Sequence, residues 1–156
     1  MSDVGVYDAV ESEIVAALTP MTPLLLTRIV YAADLNDLVF GQGINPPVAG
    51  VIEDGADGLG TIDENPTMAV GGRLVRTVLA WNLNFVVRNQ RGAVEGRVKM
   101  RKLLETSRDI LHGLRTTTLP TPGRFFWRRD TPEVIPGKED ILAYVAHYEF
   151  ATNFGR

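Results

Sequence analysis

The stretch "LAWNLNFVVRNQRG", Leu79 to Gly92, alternates in character and then turns abruptly basic. Side chains along a β-strand point to opposite faces in turn. Leu79, Trp81, Leu83, Phe85 and Val87 therefore share one face, and Ala80, Asn82, Asn84 and Arg88 share the other. One apolar face and one that tends polar is the pattern of an antiparallel sheet covered on one side. "RNQRG" is the turn that ends the strand.

The residues after that turn supply the cover. Met100, Leu103, Leu104, Ser107, Leu111 and Leu114 line one helical face, while Arg97, Lys99, Arg101, Lys102 and Arg108 crowd the others. Gly113 is a stop for this helix. A second helix starts the chain: Val6, Tyr7, Val10, Ile14, Ala17 and Leu18 recur at helical spacing, with Ser2 or Asp3 as its cap. Pro20 and Pro23 cannot continue it. Four further segments read as strands: Leu24–Ala32, Val48–Glu53, Gly123–Asp130 and Ile141–Phe154. "ADLNDLVFG" holds a short helix or turn with Asp34 as its cap. The expected fold is α+β: one largely antiparallel sheet with two main helices packed on one face.

The length of 156 residues fits a single domain. Its one unusual segment is a Gly/Asp-rich loop at about 54–73, and eight of the fifteen glycines fall between Gly41 and Gly72. Such a loop inside a compact domain is uncommon and usually functional or mobile. With no cysteine, disulfides, thiolate metal sites and thiol nucleophiles are excluded. There is no apolar run of membrane-spanning length, and the acidic start "MSDVGVYDAVESE" is unlike a signal peptide, so the expected site of synthesis and assembly is the cytoplasm. The net charge of −3 conceals a division. Residues 1–72 hold one basic residue, Arg28, against eleven acidic ones; residues 73–156 hold fifteen basic and eight acidic. The two parts read as differently solvated surfaces, or as complementary faces that meet within the molecule or between copies.

Catalytic vocabulary is sparse. Ser2, Ser12, Ser107, His112 and His147 do not form a recognisable triad pattern, and both histidines read as structural, His112 against the last carbonyls of its helix. The segment Glu53–Glu64 places Asp57, Gly58 and Glu64 where a calcium loop needs them, but Gly55 and Gly60 break the pattern. "GADGLG" lacks the lysine of a phosphate loop. Arg124, Arg128 and Arg129 flank Phe125, Phe126 and Trp127, a combination that suits single-stranded nucleic acid; on a strand, however, Phe125 and Trp127 go to one face, the core. No catalytic, cofactor-binding or metal residue is expected, and no enzyme.

The order of pieces resembles a known family. The N-terminal helix, "ADLNDL", "PPVAGVIEDG", the strand ending "VVRNQRG", the helix ending "LLETSRDILHGL" and the strand "AYVAHYEFAT" are similar to the tail-associated proteins of Mu-like bacteriophages, and through them to phage tail terminator (tail completion) proteins. The resemblance implies a structural role in a phage or phage-derived tail. Such proteins form hexameric rings that cap the tail tube, end its polymerisation and join tail to head. It implies no cofactor, no membrane and no specific nucleic acid. The implied partners are further copies of the chain, the tail tube protein, and sheath and head-tail connector proteins, with the virion tail as the location. The alternatives are a head-tail connector or neck protein, and a small nucleic-acid-binding α+β domain. Within the assembly reading, Asp54, Asp57, Asp63 and Glu64 are the expected acidic side of a subunit or tube interface; Arg88, Arg91, Arg124, Arg128 and Arg129 are its basic side.

Overall fold

Strand β3, Val75–Arg88, is the axis about which the other elements are arranged. The computed structural model describes residues 5–31, 46–61, 75–89, 93–116, 123–137 and 140–154. On one side β3 pairs antiparallel with β2, Val48–Thr61, and on the other with β6, Ile141–Phe154. Beyond β2 lies the short β1, Arg28–Tyr31, parallel to it. Beyond β6 lie β5, Gly123–Glu133, and the two-residue β4, Arg115–Thr116, both antiparallel. The order is β1-β2-β3-β6-β5-β4, a mixed but mostly antiparallel sheet.

The two helices, α1 (Val6–Leu18) and α2 (Ala93–Leu111), cover one face of it. Leu79, Trp81, Leu83, Phe85 and Val87 of β3 are buried in one cluster with Val10, Ile14 and Leu18 of α1 and Met100, Leu103, Leu104 and Leu111 of α2. This is the α+β arrangement expected from the alternation, and each large side chain so buried is worth about 1.5–3 kcal/mol. α2 ends as expected at Gly113, whose φ of 83° is a left-handed conformation that suits a residue without Cβ.

Four expectations need correction. The opposite face of β3 is not simply polar. Val48, Val86, Ile135 and Ala143 form a second buried cluster there, and Asn84 is only 2% exposed. Ile135, in the turn between β5 and β6, folds back over this end of the sheet. The run from Leu24 becomes strand only at Arg28, because the N–H groups of Leu25 and Leu26 both donate to the Met21 carbonyl (2.9 and 3.1 Å) and hold a turn. Leu26 is buried and Leu24 is 91% exposed. α1 begins after Gly5 with no side-chain cap; Ser2 and Asp3 lie outside the described residues. Finally, β2 does not stop at Glu53 but runs to Thr61, pairing Ala56 with Leu79 and Asp57 with Val78 after an irregularity at which Gly55 takes φ 90°. The rest of the Gly/Asp-rich segment and the Asp34 region lie outside the described residues.

Candidate interaction surface

The outer sheet face, away from the helices, gathers several of the sequence-predicted residues. Register puts Asn82 beside His147, and His147 beside Arg129. Asp54, Arg129, Asp130 and Glu133 all act on the His147 imidazole. Burial lowers its pKa below 6.5, Arg129 lowers it further, and the three acids oppose them. His147 Nε2 also lies 3.1 Å from the Thr131 hydroxyl. Asp54 and Arg129, from the acidic and basic parts of the sequence, therefore converge on one face of one molecule.

The remaining predicted residues are scattered. Arg128 is exposed but engaged, its Nε donating to Glu149 Oε2 at 2.6 Å. Arg124 is half-buried and sits opposite Arg115 in the β4–β5 pair. Arg88 is exposed at the end of β3. Asp57 lies within β2, its side chain outside the described residues, and Asp63, Glu64 and Arg91 lie outside them altogether.

His112 and Ser107 are held in internal hydrogen bonds. His112 does not reach the helix carbonyls as expected. The bulge in β5 brings the Trp127 N–H within reach, and His112 Nδ1 accepts from it at 3.0 Å, edge-on to Phe126. That acceptor role requires the imidazole proton on Nε2. Ser107 is buried and donates to the Leu104 carbonyl at 3.0 Å. The neighbouring Tyr148 hydroxyl is pushed up to about 12, first by burial, so it stays protonated near neutrality. Among the described residues no cluster of His, Asp and Glu could hold a metal ion.

Two surfaces of opposite character emerge on the helical side. The solvent face of α2 carries Arg97, Lys99, Arg101 and Lys102, all exposed, with exposed Val94 and Val98 among them. A groove flanks the helix on each side, one reaching Leu24 and Leu25, the other Leu142 and Tyr144. The basic helix was visible in the sequence; its grooves were not. Helical spacing puts Asp8 and Glu11 on the outer face of α1; that Glu53 joins them was not visible in the sequence. Pairing of Glu53 with Trp81 turns Glu53 to the helix side. There burial, Asp8 and Glu53 together raise the Glu11 carboxyl above 4.5. Only the strand register could have shown Glu53 on the side of α1.

No protein-family model matches the chain, and no curated protein matches it. Among solved structures it is similar to a chain of the virion of a native gene transfer agent particle. The match covers 98% of this chain and 95% of that one at 12% identity, with a TM-score of 0.50. The likeness is one of fold.

Proposed function

We propose that this chain is a structural subunit of a phage or phage-like virion, acting as a tail terminator: a ring that caps the tail tube, ends its polymerisation and provides the joint to the head. The observation that carries the reading is the fold likeness, end to end, to a chain from a virion particle. The resemblance in the order of sequence elements points the same way. The architecture suits the role, since a rigid sheet with exposed charged and apolar surfaces can bind neighbours on several sides. In this reading the outer sheet face around Asp54, Arg129 and His147 is available to tube, sheath or connector proteins.

The test is deletion of the gene in the particle that encodes it, followed by electron microscopy. Tails of uncontrolled length support a terminator. Tails of normal length that fail to join heads would make the chain a connector instead. Unchanged, infectious particles would remove the assembly role.

A further inference from the structure

The exposed face of α2 is apolar as well as basic. Val94 and Val98, one turn apart, are 75% and 59% exposed. Beside them lies a groove of about 260 Å³ whose lining includes Leu24, Leu25 and Leu103, with Lys99 and Lys102 along it. Single exposed apolar residues are ordinary. A groove whose only charged lining residues, among those described, are two lysines, with exposed valines on the same helix, marks a surface for a partner. Among the described residues Lys99 pairs with Glu95, at 3.8 Å and between two well-exposed side chains, a contact worth little.

The opposite composition occurs elsewhere on the same molecule. Tyr7 is 37% exposed on α1, next to Asp8 and one turn before Glu11. Glu53 of β2 faces the same side. Burial and the two neighbouring carboxylates, Asp8 and Glu53, hold the Glu11 carboxyl above 4.5, as expected where acids crowd together. An aromatic side chain bordered by acids suits an apolar groove bordered by lysines. The two cannot meet in one chain. The groove adjoins the turn after the C-terminal end of α1, and Tyr7 is at the other end of that helix, about 17 Å away at 1.5 Å per residue.

We infer that the groove beside α2 docks the Tyr7–Glu11–Glu53 surface of a second copy of this chain. The contact uses a different patch on each partner, so it is head-to-tail and can close into a ring. The inference rests on the self-association contained in the proposed function and assigns its interface.

The test uses two charge-reversed forms of the full chain, Lys99→Glu/Lys102→Glu and Glu11→Lys/Glu53→Lys, each checked for native circular dichroism. Masses are measured by light scattering against the unaltered protein. The unaltered protein should be oligomeric, and each variant alone should associate roughly tenfold or more weakly, because like charges then face each other. An equimolar mixture of the two should recover the oligomer, since each supplies the surface the other needs. A Tyr7→Ala variant should weaken association without altering its salt dependence. A monomeric unaltered protein, variants that keep the oligomer, or a mixture that stays dissociated would each overturn the inference. The tail-length experiment reads the terminator role separately: uncontrolled tails with association unaffected by these changes would sink this interface and leave that role standing.

Discussion

A methyl group at position 123 would collide with the Phe150 ring and lie 2.7 Å from the Ala151 carbonyl oxygen. The ring has no room to yield, because Phe150 is fully buried and packs against Phe125 at 4.8 Å between centroids. Gly123→Ala should therefore cost about 1–3 kcal/mol, read as a lower urea midpoint at an unchanged slope. A midpoint equal to the unaltered protein would show that β5 does not approach β6 this closely. Glu11 offers a test of opposite sign. Its carboxyl is raised above 4.5 in the fold, so folding favours the protonated form. The stability this contributes is present in full below 4.5 and is lost as pH rises through the folded-state value. Glu11→Gln keeps the neutral form at every pH. It should be more stable than its parent at pH 7, with the gain vanishing near pH 4. Chemical denaturation at the two pH values checks this, made in the Lys99→Glu/Lys102→Glu background so that no neighbour's lysine intrudes. An equal effect at both would refute the crowding of Asp8, Glu11 and Glu53.

At the scale of elements, the device that matters most is the bulge in β5. The register slips by one residue between Trp127 and Arg129. Without the slip Trp127 and Asp130 would face opposite sides of the sheet. With it both face α2, where Asp130 accepts from Trp127 Nε1 at 2.9 Å and from Arg108 Nη2 at 2.6 Å. The Arg108 guanidinium also lies 3.9 Å from the Trp127 ring centre. The bulge thus ties the edge of the sheet to the helix. Arg128→Ala removes only an exposed ion pair and should cost about 0–1 kcal/mol. Deleting Arg128 removes the extra residue and leaves Trp127 and Asp130 two apart on a regular strand, both still facing α2, so it too should cost only about 0–1 kcal/mol. Asp130→Ala leaves Trp127 Nε1 and Arg108 without their acceptor and should cost at least about 2 kcal/mol. Thermal unfolding of the three variants compares them, and a deletion as costly as Asp130→Ala would contradict the bulge. None of this could be read from "GRFFWRRD", where alternation runs smoothly on and nothing singles out the extra residue. The faces of β3 and α2 were legible because bulky apolar residues repeat there at the period of each element. Glu53's place beside Asp8 and Glu11 of α1 was not, since it comes only from the pairing of β2 with β3 and the packing of α1 on the sheet. Nor was the second apolar cluster, because Ile135 reaches it from a turn.

At the scale of the whole molecule, the last strand of the chain lies in the middle of the sheet. β6 pairs with β3 along its full length, from Val75 opposite Phe154 to Arg88 opposite Ile141, and with β5 on its other side. It also brings Ala146, Tyr148 and Phe150 into the main core. Remove it and β1-β2-β3 is parted from β4-β5, each left with an open edge beside an unfilled core. Pairings of such long sequence separation close late, because chain entropy must be overcome before the contacts form. The surface proposed for docking depends on this step, since α2 packs over β3, β5 and β6. On the proposed docking, a chain can join a second copy only once β6 is in place. A chain truncated after Asp140 should therefore show no cooperative unfolding transition in urea. Co-expressed with the full chain, it should be absent from the purified oligomer. Supplying residues 141–156 as a separate peptide should restore a cooperative transition, because the peptide meets two waiting strand edges and a vacant core. A truncated chain that unfolds cooperatively on its own, or that enters oligomers without the peptide, would show that β6 is an addition to the fold and not its keystone.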